Sequence, residues 1–389
     1  MKDYLCNMKE KVAIIDSLGA HGSSHHFYLF GQADGLSKCG IDVSIYTNNV
    51  TPNPNYKGVK FYEFYKNIFE GKSTLLSGLR YIFGSMTSIF HAKFTRVKIC
   101  HYHLFHVNAL VIFDFVLSKI LGMKVIYTIH DVVSFENEKS NEKLNKWLYK
   151  RADKILTHNH FSKKIFKEHY TDLKTEIDII PHGNYVPFLE IKKDKSFSRI
   201  HLSIPQDKKV LLFFGMIKKV KGLEILLQSL RDVIKKNSDV ILVIAGRVWE
   251  NDFSIYQKII DKNNLAAHCI IHNKFIKQED VGHYYAAADL IVLPYKRIYQ
   301  SGVLMMSLSY EKAVLVSDLP PLTEVVEDKE TGFVFKTESP KSLSEKLNFI
   351  LSDVDNLEKI RNNGAELIKK KYDWTEIGIL TKKSYQSIL

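Results

Sequence analysis

The sequence predicts an α/β protein built from two doubly wound, Rossmann-like parallel-sheet domains. Three observations carry this expectation. Apolar runs of strand length alternate with segments of helical period along most of the chain, the pattern of a parallel sheet covered by helices on both faces. The alternation closes at Pro181-His182-Gly183-Asn184, crosses a polar, Lys-rich stretch over 190–209, and then begins again. The length, 389 residues, is that of two domains rather than one. We therefore place an N-terminal domain at 1–187, a second domain at 188–370, and a closing helical segment at 371–389.

Composition bounds the function classes. The chain is 45% hydrophobic and 25% charged, an ordinary globular balance. It contains no apolar run long enough to span a bilayer. Residues 1–11 lack an apolar core segment and do not read as a signal peptide. Cys6, Cys39, Cys100 and Cys269 are scattered without a CxxC pair, which fits a reducing, cytoplasmic setting without disulfides. The net charge of +12 calls for an anionic partner. No recognisable nucleic-acid module accompanies that charge, so nucleic acid is the class least favoured. The first domain is the basic, histidine-rich one, holding twelve of the sixteen histidines.

In chain order, the run at 11–16 (KVAIID) is the first strand. It feeds a small-residue turn, Ser17-Leu18-Gly19-Ala20-His21-Gly22-Ser23-Ser24, ahead of a helix reaching about Cys39. Gly19 and Gly22 do not make GxGxxG, and no acidic residue follows at the ribose spacing, so a dinucleotide site is not indicated. The turn either faces a ligand or is simply tight. Strands at 42–47 and 59–64 follow. Gly71-Lys72-Ser73-Thr74 resembles the tail of a phosphate loop, but Lys66 stands where its first glycine is needed.

The segment 65–98 sets Lys66, Lys72, Arg80, Lys93, Arg96 and Lys98 among six aromatics (Tyr65, Phe69, Tyr81, Phe83, Phe90 and Phe94), with Glu70 the single acid. It reads either as a face for an anionic membrane surface or as a basic helix whose aromatics turn into the core. Strands at 97–103, 124–130 and 154–158 each end in a histidine: His103, His130 and His158. In a doubly wound sheet that rim is where ligands sit. Asp131 stands next to His130 as a candidate orienting partner. No histidine pair falls at i, i+3 or i+4 of a helix, so no metal site is expected.

The second series opens with a strand at 209–214 and the turn Gly215-Met216-Ile217-Lys218-Lys219-Val220-Lys221-Gly222. Its three lysines are placed to meet phosphate as point charges, or are plain loop lysines. Strands at 240–245 and 269–272 follow. The clearest unit of the chain is 290–318: an apolar strand closed by Pro294, a polar loop to Gln300, Ser301-Gly302 opening a helix, and a second apolar run from Ala313. A helix N-terminus at such a turn is a ready anion site, and a glycine there lets a phosphate approach the backbone. The same turn also reads as an ordinary crossover. A short strand, Gly332-Phe333-Val334-Phe335, and three helices end the chain.

Several stretches together resemble the GT-B glycosyltransferases, and glycosyltransferase family 4 in particular. They are FGMIKKVKGLEILLQSL (213–229), ILVIAG (241–246), YYAAADLIVLPY (284–295), QSGVLMMSLSYEKAVLVSDLPPLTEVV (300–326) and TGFVF (331–335). The first domain adds YTIHDV (127–132), RADKILTHNHFSKKIF (151–166) and IIPHGN (179–184). The resemblance covers most of the chain and is closest to the subset with a QSG turn. It implies two domains facing each other across a cleft, with the last helix crossing back to the first.

It further implies that Lys221 and Lys218, beside Gly215, meet the donor diphosphate. Gln300, Ser301, Gly302 and Val303 would form the turn that holds the distal phosphate. His130 would stand near the transferred sugar as the catalytic residue, and Gly19, His21 and Gly22 would form the loop beside phosphate and acceptor. The family's two glutamates around the turn are replaced by Ile298 and Met306, which leaves the ribose and sugar contacts, and the stereochemical outcome, unassigned.

The expected reaction moves a sugar from a nucleotide-diphosphate sugar, UDP or GDP not being distinguishable, to a lipid-linked or glycan acceptor. No cofactor and no metal is expected, since the only DxD, Asp353-Val354-Asp355, reads as a surface turn. By resemblance the setting is bacterial surface polysaccharide assembly, on the cytoplasmic side and peripheral to the membrane. The missing glutamates leave open a sugar-nucleotide-binding homologue without catalysis, and a third reading is a sugar-nucleotide epimerase of similar fold.

Overall fold

The structure, a computed structural model, describes residues 10–21, 25–71, 73–133, 141–189, 193–249 and 252–389, with the backbone alone at 354 and 355. Two compact units emerge: Met1–Gly183 with Tyr372–Leu389, and Asn184–Lys371.

The first unit runs β1 (Lys11–Ile15), α1 (His25–Lys38), β2 (Asp42–Asn48), β3 (Val59–Tyr65), α2 (Thr74–Phe94), β4 (Ile99–Leu104), α3 (Ala109–Ile120), β5 (Lys124–Ile129), α4 (Glu142–Tyr149), β6 (Lys154–Thr157), α5 (His160–His169) and β7 (Ile177–Ile179). Its seven parallel strands lie in the order β3-β2-β1-β4-β5-β6-β7. The second runs α6 (Lys195–His201), β8 (Lys209–Phe214), α7 (Leu223–Ile234), β9 (Val240–Ala245), α8 (Ser254–Lys262), β10 (Cys269–His272), α9 (Gln278–Ala287), β11 (Leu290–Leu293), α10 (Gly302–Ser309), β12 (Ala313–Ser317), α11 (Pro320–Thr323), β13 (Phe333–Phe335), α12 (Pro340–Ser352) and α13 (Val354–Lys371). Its six strands lie in the order β10-β9-β8-β11-β12-β13. The last helix, α14 (Trp374–Gln386), belongs to the first unit.

Both sheets form for the reason the apolar runs announced. In β8, β9, β11 and β12 every residue after Lys209 is buried, as strands covered on both faces must be. Helix starts carry their own signals. Ser73, Asn108, Asn159, Ser301, Ser339 and Asp373 each accept a backbone N–H from the first turn of the helix they precede.

Within the first unit α14 lies along α1 because Gly31 and Gly35 leave room for Trp374. A Cβ at Gly31 would overlap the indole, and one at Gly35 would meet the Trp374 backbone carbonyl. In the second unit the polar stretch after 190, read as a connection, carries helix α6. It is anchored by Arg199, which is buried and donates to Asp289 at 2.9 Å and to the carbonyls of Gln206 and Ala287. A charged residue paired with a carboxylate and two backbone carbonyls can sit where composition alone reads a linker. The second unit already begins at Asn184, whose Nδ2 donates to the Ile368 carbonyl, while the Tyr185 N–H donates to Ser309 Oγ.

In each sheet the strand order reverses once, between β1 and β4 and between β8 and β11. Ligands in doubly wound sheets bind beyond the strand C-termini at that reversal. The loops after β1, β4, β8 and β11 are thus the places where sites are sought.

Candidate active site

The second unit offers an anion cradle. Gly215 leaves β8 at φ +97°, a left-handed conformation that favours glycine, and its N–H donates to the Ala245 carbonyl. A Cβ there would stand 3.3 Å from both Lys221 Nζ and Val303 Cγ2, so these three predicted residues converge. Lys221 closes a 3₁₀ turn over Lys219–Lys221 and places Nζ 5.5 Å above the Tyr295 ring. Burial, with the charge of Lys218 nearby, lowers its pKa from 10.5 to about 8. Lys218 lies with Nζ 5.0 Å from the centre of the Trp249 ring. Lys296, by contrast, is held by Glu224 at 2.6 Å.

Ser301 caps α10 through Leu304 N–H at 3.1 Å. The amides of Gly302 and Val303 lie in the first turn, ahead of any carbonyl that a helix could offer them. A side chain on Gly302 would begin 3.0 Å from the Tyr185 hydroxyl, which therefore stands at this turn. Gln300 Oε1 is buried and makes no hydrogen bond. Two cations, a helix N-terminus and glycines at both closest approaches make an arrangement chemically suited to an anion such as a phosphate. The two positions that lost their glutamates are apolar: Ile298 is half-buried and Met306 is buried within α10.

The first unit holds the loop after β1 rigidly. Gly19, at φ +48°, donates to Asp16 Oδ1 at 2.7 Å, Ala20 donates to Thr51 Oγ1, and Asn48 Nδ2 donates to the carbonyls of Ser17 and Leu18. His21 is exposed and stacks on Phe69 at 3.6 Å. Gly22 lies outside the described residues.

Behind that loop the histidines form one chain. His103 Nδ1 faces His130 Nε2 at 3.1 Å, His130 Nδ1 faces His158 Nε2 at 3.2 Å, and His158 Nδ1 faces the Ile180 carbonyl at 3.0 Å. His25 Nε2 contacts Asp16 Oδ2 at 2.9 Å, and its ring centre lies 5.1 Å from that of His130. Burial drives the pKa of His130 and His103 well below the ordinary value, and that of His158 to about 4. His130, predicted on the strand rim, is there, with both ring nitrogens engaged by neighbouring histidines.

A cavity of about 470 Å³ opens beside this chain, lined among others by Asp16, Phe69, Tyr81, His103, Phe105 and Asp114. Asp114 sits in its wall as a buried carboxyl whose pKa is raised from 3.8 to about 7 by desolvation. The Tyr81 hydroxyl donates to its Oδ2 at 2.6 Å, and its Oδ1 is buried without a partner. Sequence reasoning passed over Asp114, Tyr185 and Trp249. Asp114 is a lone acid in an apolar helix, a signal that does exist, whereas the other two are marked only by their tertiary neighbours.

The comparisons follow the division into units. Residues 27–184 match the family described as Glycosyltransferase Family 4, and residues 194–367 match Glycosyl transferases group 1. The chain is a GT-B glycosyltransferase of the family 4 type.

Among relatives, this glycosyltransferase is 25% identical over 283 residues to the putative glycosyltransferase YtcC of Bacillus subtilis, covering 68% of each chain. It is also 25% identical over 232 residues to the lipopolysaccharide 1,2-N-acetylglucosaminetransferase of Salmonella typhimurium, covering 58% of this chain and 59% of that one. In fold it is similar to HepE of Anabaena, solved in complex with UDP-glucose, at a TM-score of 0.73 and 16% identity over 97% of this chain and 99% of that one. The family matches support a glycosyltransferase rather than an epimerase.

Proposed function

We propose that this glycosyltransferase transfers a sugar from a nucleotide-diphosphate sugar to a lipid-linked or glycan acceptor in bacterial surface polysaccharide assembly. The observation that carries the donor reading is the convergence of Gly215, Lys221 and Val303 at the N-terminus of α10. In the reaction the bond between the anomeric carbon and the diphosphate oxygen breaks, and its electron pair leaves with the diphosphate. An acceptor oxygen forms the new bond, and its proton is released to water. Lys221, Lys218 and the first amides of α10 would meet the charge that develops on the leaving group. Preorganised donors of this kind contribute several kcal/mol in a water-poor site. That UDP-glucose is bound by HepE, a protein of the same fold, is consistent with such a donor.

The acceptor would lie on the first unit, at the cavity walled by Asp114 and Tyr81. A lipid-linked acceptor accords with α2, which exposes Leu75, Leu79, Phe83 and Phe94. Leu79 and Phe83 share a surface depression with Lys66 and Arg80, an apolar and basic pairing suited to an anionic lipid surface. Among the described residues no helix is long and apolar enough to cross a membrane, so we read the association as peripheral, at the cytoplasmic face. The test is a panel of nucleotide-sugars read by thermal shift and by sugar release. One donor should raise Tm and be turned over, and a panel in which none does either overturns the reading.

A further inference from the structure

The chain as a whole is basic, at +12, but the 470 Å³ cavity of the first unit is not. Among the described residues its lining holds two carboxyl groups, Asp16 and Asp114, and no lysine or arginine. Asp16 is already committed: Oδ1 accepts the Gly19 N–H at 2.7 Å, and Oδ2 contacts His25 Nε2 at 2.9 Å. Asp114, from α3, is only half committed. It is 2% exposed, and its Oδ2 accepts from the Tyr81 hydroxyl at 2.6 Å. Its Oδ1 makes no hydrogen bond. The Ser85 hydroxyl also lies near this carboxyl, but it is paired with the hydroxyl of Tyr65 at 3.1 Å. Buried polar atoms are ordinarily paired, so an unpaired carboxyl oxygen in the wall of a cavity points to a partner that comes from outside.

The chemistry of that partner follows from the carboxyl itself. Ionised, Oδ1 only accepts a hydrogen bond; protonated, the group can also donate one. Desolvation raises its pKa to about 7, so both forms are present near neutrality. A phosphate or carboxylate oxygen pairs with the protonated form alone, and the ionised form repels it across a wall of low dielectric. A hydroxyl donates to the one form and accepts from the other, so it pairs with Asp114 in both. The rest of the wall suits the carbon-bound hydrogens of a sugar: Phe69 and Phe105 are part-exposed at the cavity, and sites for small molecules are largely apolar with a few placed polar groups. Lys66 and Arg80, which could attract a phosphate, line a different depression. We propose that the cavity takes an uncharged, hydroxyl-bearing part of the acceptor, a sugar ring, and that Asp114 Oδ1 hydrogen-bonds one of its hydroxyls. The inference rests on the acceptor lying at this cavity, and it leaves any phosphate of a lipid-linked acceptor outside.

The test uses the full chain and short-chain probes below micelle formation: the octyl glycosides of glucose, galactose, mannose and N-acetylglucosamine, with octyl glucuronide and octyl phosphate as their anionic counterparts. Binding is read by saturation-transfer NMR without nucleotide, so failure of the donor reading leaves the result intact. At least one neutral glycoside should bind saturably, and both anionic probes at least tenfold more weakly. Asp114→Asn should weaken the neutral glycoside roughly tenfold or more, as loss of a hydrogen bond to a charged group does, and should narrow the gap to the glucuronide. A second variant fixes the place. Gly78 lines the same cavity from α2, and a Cβ there would meet nothing within 4 Å, so Gly78→Leu fills open space in a helix that prefers leucine to glycine. It should block binding whether or not the Asp114 variant folds. Failure of every neutral glycoside to bind overturns the proposal, as does binding of either anionic probe as tightly. Binding blocked by Gly78→Leu but unaltered in Asp114→Asn overturns the role of Asp114 and keeps the cavity as the acceptor site. Binding unaltered by Gly78→Leu overturns both.

Discussion

At the residue scale Lys221 bears the most chemistry. It is half-buried beside the Tyr295 ring, and its pKa of about 8 places its charge within reach of ordinary buffers. Lys221→Ala should weaken nucleotide-sugar binding by about 1.5–3 kcal/mol, the range of a hydrogen bond to a charged group. Calorimetry giving unchanged affinity refutes the assignment. The pH dependence has a definite sign. Bound diphosphate favours the ammonium form, so binding takes up a proton above the free-enzyme pKa. Affinity should be level below about pH 7 and fall above pH 8, approaching tenfold per unit until the pKa of the complex is reached. A nucleotide-sugar shows this cleanly because its diphosphate does not titrate there, and Lys221→Ala should flatten the profile. Gly302 is the complementary case. Its missing side chain leaves the approach to the α10 amides open and the Tyr185 hydroxyl in place. Gly302→Val should abolish donor binding with the far-UV spectrum and Tm little altered, whereas full binding by the variant makes the turn structural only.

At the element scale α2 resolves an ambiguity of the segment 65–98. Its aromatics divide. Tyr65 is fully buried against Ser85 and Tyr81 turns inward to Asp114, while Phe83 is 71% and Phe94 82% exposed. Lys93, Arg96 and Lys98 are exposed at its C-terminal end, and Lys72 lies outside the described residues. Near an anionic bilayer each basic side chain contributes on the order of 1 kcal/mol, and salt screens it. We expect binding to anionic liposomes that weakens with salt, is slight on neutral ones, and is reduced when Lys93, Arg96 and Lys98 become Ser. Phe83→Ser should reduce the part that survives at high salt. Co-sedimentation without preference for anionic lipid at low salt would falsify the membrane reading.

At the scale of the whole molecule, the phosphate cradle and the histidine rim belong to different units. Each is set by the strand reversal of its own sheet. Damage to the rim should therefore leave the cradle intact. His130→Ala is expected to lower kcat with little change in nucleotide-sugar affinity, because His130 acts from the first unit through its contacts with His103 and His158. A parallel loss of affinity would place His130 at the donor and overturn this division of roles.

The sequence by itself determined the fold class, the restart of the strand pattern, and the turn at Ser301-Gly302. All of these are local: an apolar run, a capping serine and a glycine act within a few residues of chain, and the periodicity of the pattern exposes them. The position of Lys221 beside Gly215 was legible too, because a βα turn places its side chains at the strand end whatever the packing. A spacing rule looks only along helices, and it could not show that His25, His103 and His130, from α1, β4 and the residue after β5, come together. Strand order made them neighbours: β4 pairs with β5 in register, His103 and His130 leave those two strands at adjacent C-terminal ends, and α1 delivers His25 over them. The same holds for Asp114, whose raised pKa comes from the walls of a cavity rather than from its neighbours in sequence. Tertiary structure decided these features because burial and a sheet's lateral order are properties of the assembled chain, and no stretch of residues carries them alone.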